Sequence, residues 1–187
     1  KQLILADWQT KREWQAYAFE QFALAGYEQA SAYTAVKNPQ QQRFVYRDAL
    51  WHGSDMIGTG VASFSHLGRA QGESLHYQNA ASWEGYLETL AADRLPIERA
   101  LPVSGDEELT RQFILQLKLG RVQTAYFADR FGIDVSARFA TELEQLGREG
   151  MLRYSADEVN LTRTGLLRVD QLLPLFYHER YRNSRYT

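Results

Sequence analysis

The chain has 187 residues, enough for one large domain or two small ones. Its residues are 44% hydrophobic, 24% charged and 13% aromatic, a composition typical of a globular protein and not of a disordered chain. With 21 basic and 23 acidic residues the formal net charge is -2, so overall charge gives no attraction to nucleic acid or to an anionic membrane. No stretch approaches the roughly 18 to 20 apolar residues of a membrane span, and no basic and apolar leader opens the chain. We therefore expect a soluble, cytoplasmic protein without a membrane partner.

The sequence contains no cysteine. This absence excludes disulfides, thiolate metal sites, iron-sulfur ligation and cysteine nucleophiles supplied by these 187 residues.

The first 103 residues are predicted to contain both helices and strands. Apolar residues at helical spacing predict a first helix over 8–25 that ends at Gly26. Aromatic and β-branched content then favours strands over 27–36, 44–50, 56–67 and 73–78. Ser82 predicts the cap of a helix over 83–93. Pro96 and Pro102 predict an extended connector over 94–103, and we place a domain boundary after Val103.

Residues 104–187 are predicted to form a second, mostly helical domain. Ser104 and Glu107 have the spacing of a capping box at the start of a helix that ends near Gly120. Two further helices are predicted over 123–131 and 136–149, and a hairpin of strands 151–154 and 159–162 follows them. A last helix begins after Thr162 or Thr164 and is predicted to kink or end at Pro174. The tail from His178 is predicted to be frayed or packed on a neighbour.

Three helices, a hairpin and a closing helix are the order of a winged-helix domain, a helix-turn-helix variant with a β wing. Residues 104–187 nevertheless hold 12 basic and 12 acidic residues, whereas DNA binders neutralise on the order of 6 to 10 phosphates. The charged residues of the predicted recognition helix are Arg138, Glu142, Glu144, Arg148 and Glu149, so glutamates would lie near the groove or its phosphates. We therefore favour a packing or protein-contact role for this domain over nucleic acid binding.

Candidate sites for chemistry are few. Small residues cluster at Gly58-Thr59-Gly60-Val61-Ala62-Ser63-Phe64-Ser65, where a backbone could approach a ligand closely or simply form a bulge or tight turn. The cluster lacks the third glycine of a dinucleotide motif, and its serines lack the spacing of a nucleophile elbow. The four histidines have no metal-binding spacing, so each is interpreted as a surface residue or a hydrogen-bonded core residue, and no metal ligand or catalytic residue is predicted. The tryptophans and tyrosines could line a planar-ligand pocket, although core packing is the favoured interpretation.

The order of several motifs resembles the oxygen-independent coproporphyrinogen III oxidases and their relatives, over nearly the whole chain. In the first half the matching segments are Gly26-Tyr27, Ala30–Ala35, Arg43–Trp51, Asp55–Ser65, Tyr77-Gln78-Asn79, Tyr86 and Leu95-Pro96. In the second half they are Asp106-Glu107-Glu108, Phe131-Gly132, Leu143–Leu146, Gly150-Met151-Leu152, Leu161-Thr162 and Gly165.

The resemblance implies an α+β architecture: residues 1–103 would be the last strands and helices of a partial β/α barrel, and 104–187 the winged-helix-like C-terminal domain. It also implies a radical S-adenosylmethionine (SAM) enzyme of haem biosynthesis. In that family a [4Fe-4S] cluster reduces SAM, a 5'-deoxyadenosyl radical abstracts hydrogen from a porphyrinogen propionate, and decarboxylation leaves a vinyl group. Other members are haem chaperones or modify tetrapyrroles in other ways, and a winged-helix module that binds protein or DNA stays an alternative.

The family holds its cluster with a C-x-x-x-C-x-C loop near the start of the barrel, and this sequence has no cysteine. We therefore expect the chain to be the C-terminal portion of such an enzyme, inactive alone, whose partners are the N-terminal barrel half and a tetrapyrrole. A naturally cluster-free relative is the alternative. Because a truncated barrel leaves strand edges unpaired, we also expect these residues alone to dimerise.

The resemblance assigns SAM contacts to two segments. Ala35, at the end of the segment Tyr33-Thr34-Ala35, is the strongest candidate, and Gly58, Gly60 and Ser65 match the glycine-rich stretch. Family members usually have His or Asn at the position of Tyr33 and Phe at that of Thr34, so the reaction itself is left open.

Overall fold

The computed structural model describes residues 5–68 and 74–182. Over these residues it is a mixed α/β structure that divides into two compact units. One unit is Val45–Gln112, and the other combines Lys1–Phe44 with Phe113–Thr187. In chain order the helices and strands are α1 (Trp8–Leu24), β1 (Tyr27–Gln29), β2 (Ala35–Lys37), α2 (Val45–Trp51), β3 (Phe64–Gly68), β4 (Ser74–Asn79), α3 (Trp83–Ala91), β5 (Ile97–Val103), α4 (Gly105–Leu117), β6 (Arg121–Gln123), α5 (Thr124–Phe131), α6 (Val135–Arg138), α7 (Ala140–Arg148), β7 (Leu152–Tyr154), β8 (Glu158–Leu161), α8 (Arg163–Leu167) and α9 (Val169–Leu172). Two 3₁₀ turns, Leu173–Phe176 and Glu179–Tyr181, follow. No helix among these described residues is long and apolar enough to cross a membrane.

The first helix has the predicted extent, but its apolar stripe is not buried. Asp7 caps α1 by accepting a hydrogen bond from the Thr10 backbone N–H at 2.7 Å, and Gly26 ends it with a φ of 79°. Trp14 and Phe22, which belong to the predicted stripe, are 62% and 47% exposed. The stripe therefore reflects helical periodicity without marking a buried face in this chain.

The predicted strand 27–36 is a hairpin. β1 and β2 pair antiparallel, and the Ala30 N–H donates to the Thr34 carbonyl at 2.9 Å to close the turn between them. Ser31 and Ala32 in this turn are each only 1% exposed. Composition predicted one continuous strand here because the residues of this turn are buried, whereas turns usually lie at the surface.

The predicted strand 44–50 is wrong, because Val45–Trp51 is the helix α2. The Arg47 guanidinium lies 5.5 Å from the ring centre of Trp51, four residues along. A helix places side chains four residues apart next to each other, whereas a strand separates them by about 13 Å, so this contact favours the helix over the strand that the Val and Tyr content suggested.

The predicted strand 56–67 is also wrong over most of its length, since the chain doubles back on itself. Met56 forms an isolated antiparallel bridge with His66, and only Phe64–Gly68 is the strand β3. The reversal uses left-handed backbone at Gly60 and at Ala62, with φ of 101° and 58°.

β3, β4 and β5 form an antiparallel sheet in that order. β4 confirms the predicted strand 73–78, except that Glu73 lies outside the described residues. The predicted connector 94–103 is wrong from Ile97 onward, because β5 pairs with β4 along its length. Pro102 lies in this edge strand, where a residue without an N–H is tolerated.

The helix predicted after Ser82 is confirmed as α3, and the Ser82 hydroxyl accepts a hydrogen bond from the Gly85 N–H at 3.1 Å.

The signals for helix ends in the second half are confirmed. The Glu107 carboxylate accepts from the Ser104 N–H and hydroxyl at 2.9 and 2.8 Å, which is the predicted capping box of α4. α5 ends at Gly132, whose φ of 67° is left-handed.

The predicted helix 136–149 is wrong in the middle, where α6 and α7 are separated at Phe139. Phe139 has φ -113° and ψ 26°, outside the helical range, and is 1% exposed. Its ring centre lies 4.6 Å from that of Phe113. Packing of this ring has overridden the apolar periodicity that runs through the segment.

The predicted hairpin is confirmed as β7 and β8, although its loop is shorter than predicted because Glu158 already pairs with Gln123 of β6. β8 lies between β6 and β7 in a three-stranded antiparallel sheet.

The predicted last helix is divided into α8, which has Arg168 as its C-cap, and α9. At Pro174 the chain forms a 3₁₀ turn, as the missing N–H of proline predicted. Part of the predicted frayed tail, 178–182, is described and contains the second turn, while 183–187 lie outside the described residues.

Four phenylalanines form the centre of the core of this unit. Phe113 of α4 lies with its ring centre 5.8 Å from that of Phe127 and 5.2 Å from that of Phe176, and Phe139 completes the cluster. None of the four is more than 4% exposed.

The approach of α8 to the start of β7 gives a first prediction. A Cβ on Gly165 would overlap the carbonyl oxygen of Met151. We expect Gly165→Ala to lower the free energy of unfolding in urea by about 3 kcal/mol, because backbone must move to admit the methyl group. Gly147→Ala is the matched control: a Cβ there comes no closer than 3.5 Å to Tyr154, so helix propensity should raise stability by up to about 1 kcal/mol. Equal effects of the two variants would contradict the prediction.

Candidate cofactor site

Three of the four predicted SAM-contact residues lie together: Gly58 and Gly60 are in one loop, and Ser65 of β3 contacts that loop. We call residues 57–63 the glycine loop. The Gly58 N–H donates to the hydroxyl of Ser65, which is 0% exposed, at 3.0 Å. The Asn79 side-chain amide donates to the carbonyls of Gly58 and Gly60 at 3.2 and 3.0 Å, and the Gly60 N–H donates to the Tyr86 hydroxyl at 3.1 Å.

The glycines are required by this geometry. A Cβ on Gly58 would overlap the carbonyl oxygen of Phe64, and Gly60 has a φ of 101°. The sequence indicated close backbone approach or a tight turn at these glycines, and the loop uses both.

Ala35 lies in the other unit, in strand β2. It lines a groove of about 240 Å³ whose walls include Phe19, Phe22 and Tyr27. The Arg163 guanidinium donates to the Glu20 carboxylate at 2.5 Å, and both residues line the groove. The structure thus brings Gly58, Gly60 and Ser65 together and places Ala35 in a separate groove.

The segment beside Ala35 is held by contacts that sequence reasoning missed. The Tyr33 hydroxyl donates to the Asp170 carboxylate at 2.6 Å, and Lys118 Nζ lies 3.8 Å from the same oxygen. The Ala32 N–H donates to the Lys118 carbonyl at 2.8 Å. Burial and the bond to Asp170 raise the pKa of the Tyr33 hydroxyl, so it stays protonated and continues to donate. No sequence signal links residues this far apart in the chain.

The histidine and tryptophan interpretations need correction. His52 contacts the Asp48 carbonyl at 2.7 Å, in accord with a hydrogen-bonded histidine. His66 and His76, however, bury ring nitrogens that have no hydrogen-bond partner among the described residues. Trp8, Trp14 and Trp83 are 68%, 62% and 62% exposed, so the interpretation of the tryptophans as core residues is wrong for these three.

The residues present fit the implied cofactors unequally. The sequence contains no thiolate for a [4Fe-4S] cluster, and no group of three or more metal-ligating side chains occurs in the described part of the chain. The N–H groups of Gly58 and Gly60 already donate within the protein. A ligand at the glycine loop would therefore contact its exposed residues Ile57 and Thr59 and the bare glycine backbone.

The matches found by comparison with known proteins agree with one another. Residues 103–168 match the HemN C-terminal domain. The chain is 30% identical over 131 residues to the oxygen-independent coproporphyrinogen III oxidase of Pseudomonas aeruginosa, which is 67% of this chain and 27% of that protein. It is 22% identical over 130 residues to the heme chaperone HemW of Bacillus subtilis, 69% of this chain and 33% of that protein. The chain thus spans about a third of the length of these relatives.

The fold is shared with a solved structure. Coproporphyrinogen III oxidase (HemN) from Escherichia coli, described as a radical SAM enzyme, superposes with a TM-score of 0.73 at 16% identity. The match covers 94% of this chain and 43% of that one.

The buried serine that holds the glycine loop, Ser65 of β3, gives a second prediction. Ser65→Ala removes the acceptor of the Gly58 N–H, and we expect a loss of about 1–3 kcal/mol in the free energy of unfolding, because that donor is left unsatisfied. Amide exchange at Gly58 should accelerate in the same variant.

Ser63→Ala is the control within the same loop. The Ser63 hydroxyl donates to the Thr59 carbonyl at 2.7 Å from a half-buried position, where water can replace it. A larger loss for Ser63→Ala than for Ser65→Ala would contradict the assignment of Ser65 as the residue that holds the loop.

Proposed function

The chain carries a HemN C-terminal domain and is homologous to the C-terminal part of the oxygen-independent coproporphyrinogen III oxidases, and from this we propose that it is the C-terminal portion of such a radical SAM enzyme. The parent enzyme would decarboxylate porphyrinogen propionates to vinyl groups in haem biosynthesis. The observation that carries the proposal is the 30% identity to the Pseudomonas aeruginosa oxidase over 131 residues.

We assign residues 104–187 to a winged-helix-like domain and residues 1–103 to the remnant of a partial β/α barrel. The sheet order β6, β8, β7 with α5, α6 and α7 inserted between β6 and β7 supports the first assignment. The family match, which begins at residue 103, supports the boundary.

In the parent enzyme SAM and a [4Fe-4S] cluster would supply the radical chemistry, and the cluster thiolates would come from residues outside this sequence. The residues of this chain would orient the cofactor and exclude water. The glycine loop suits that task because Asn79, Ser65 and Tyr86 already hold its backbone. The loop therefore loses little conformational entropy when a ligand binds. Ala35 would contact SAM from β2, at a position anchored by the contact between Tyr33 and Asp170.

A haem chaperone is the second candidate function, and the similarity to HemW of Bacillus subtilis over 69% of the chain favours it. The two functions differ in what the loaded protein does with a tetrapyrrole. An oxidase releases carbon dioxide from a porphyrinogen, whereas a chaperone retains haem unchanged.

A third prediction tests the proposal on the complete reading frame that contains this sequence. Expressed and reconstituted anaerobically with iron and sulfide, the protein should hold a [4Fe-4S] cluster, cleave SAM and convert coproporphyrinogen III to protoporphyrinogen IX. Product formation followed by chromatography is the measurement. Stable haem binding without decarboxylation would support the chaperone instead, and a frame without cysteine ligands would refute the radical enzyme.

The same protein tests the assignment of Ala35. Ala35→Leu adds bulk to the half-buried β2 position, and we expect the Kd for SAM to rise about tenfold, 1.4 kcal/mol, with the iron content unchanged. Ala137→Leu, at an exposed position of α6, is the matched control and should leave the Kd unchanged. Equal Kd values for both variants would remove Ala35 from the site.

The apolar side chains of α1 and its flanks suggest where the rest of a barrel would pack. Trp8, Trp14, Tyr17 and Leu24 are between 62% and 83% exposed. Exposed apolar groups of this density mark interaction surfaces, so we propose that the N-terminal barrel half covers them.

A fifth prediction follows for these 187 residues alone: the uncovered α1 face should pair two copies. Light scattering at high protein concentration is expected to give a dimer, which Trp14→Glu should dissociate. Trp83→Glu, which alters an equally exposed tryptophan on α3, should leave the dimer intact. If the unsubstituted 187 residues are monomeric, or if Trp83→Glu alone dissociates the dimer, the assignment of α1 as the contact face is contradicted.

A further inference from the structure

Two histidines face each other on the strands that follow the glycine loop. His66 of β3 and His76 of β4 are directly paired in the register, with ring centres 4.7 Å apart at 64°. His66 Nδ1 and His76 Nε2 are buried without a hydrogen-bond partner among the described residues. The pair therefore gains nothing from hydrogen bonds at these two atoms and is sensitive to any charge placed there.

Helix α4 supplies the charged groups that face the pair. Glu108 Oε2 lies 3.8 Å from His76 Nε2, and Glu108 Oε1 lies 3.8 Å from an Arg111 guanidinium nitrogen. The Gln112 side-chain amide donates to the same carboxylate at 2.6 Å. The groups that face His66 are thus one carboxylate, one guanidinium and the second imidazole, a set whose charge is balanced only while both imidazoles are neutral.

The backbone of His66 is tied to the entry of the glycine loop. Its N–H donates to the Met56 carbonyl at 2.9 Å, and the Met56 N–H donates back to the His66 carbonyl at 2.8 Å. The preceding residue, Ser65, accepts the Gly58 N–H. Displacement of His66 from the pair would therefore loosen Met56 and Gly58 together.

We propose that His66, His76, Glu108 and Arg111 form a proton-sensitive clasp, in which protonation of His66 releases β3 from Met56 and Gly58 and so frees the glycine loop. Like charge from Arg111 would repel the new cation, and Glu108 is already shared with Arg111. The proposal concerns the described fold alone and does not depend on the enzyme function proposed above.

The direction of the pH dependence follows from the pKa values. Burial, followed by the charges of Arg111 and His76, lowers the pKa of His66 from 6.5 to about 4, although Glu108 opposes this shift. Burial of Glu108 would raise its pKa, but the interactions with His76, Gln112 and Arg111 outweigh burial and lower it to about 2. Glu108 thus stays ionised, and the clasp, closed above pH 6.5, is lost as pH falls towards 4 because the opened state binds the proton more tightly.

Amide hydrogen exchange on the intact chain is the test, with rates corrected for intrinsic chemistry. Between pH 7 and pH 5 the opening equilibrium at Met56 and Gly58 should rise about 20-fold, as linkage to His66 requires. The amides of β6 and β8 in the other unit should change much less, which separates local opening from global unfolding. An unchanged opening equilibrium at Met56 and Gly58 would overturn the proposal.

Variants locate the proton. His66→Gln should abolish the pH dependence at Met56 and Gly58, and His178→Gln, in the other unit, should retain it. If His66→Gln does not fold, the ring resonances of His66 in the unaltered chain decide the question. Titration near pH 4, accompanied by shifts of the Met56 and Gly58 amides, would support the clasp, while titration near 6.5 without those shifts would refute it.

Discussion

Burial of one aromatic cluster holds together the unit that contains the C-terminal segment. Phe113, Phe127, Phe139 and Phe176 come from four separate segments of the chain, and the ring centres of the other three lie 4.6 to 5.8 Å from that of Phe113. Because aromatic side chains bury large areas and pack with defined geometry, this cluster sets the positions of the short helices around it. The break between α6 and α7 falls at Phe139, whose ring belongs to this cluster.

The β1–β2 hairpin is held in place by residues of the C-terminal segment of the same unit. Ala32 bonds to the carbonyl of Lys118 just after α4, and Tyr33 bonds to Asp170 on α9. The β1–β2 hairpin therefore takes its position from the C-terminal residues. If Ala35 contacts SAM as proposed, the family domain that follows residue 103 has a direct structural part in building the cofactor site.

The glycine loop illustrates the limits of motif reading. The spacing of Gly58 and Gly60 indicated a place where backbone approaches something closely, and the structure identifies that neighbour as the chain itself: Phe64, Ser65 and Asn79. A motif scan cannot separate a loop that binds a ligand through its N–H groups from one whose N–H groups serve its own fold. The histidine pair was missed for a related reason, because the register that opposes His66 to His76 depends on where the chain turns.

Local signals and a family resemblance can be identified from the amino-acid order alone. The capping box at Ser104, the glycine ends at Gly26 and Gly132, the break at Pro174 and the order of motifs could all be read directly, since each depends on residues close together in the chain. The fold was needed to show that Val45–Trp51 is a helix, that residues 56–66 double back and that Ile97–Val103 completes a sheet. Those outcomes depend on partners distant in sequence, whose packing and pairing energies outweigh the small differences in local propensity.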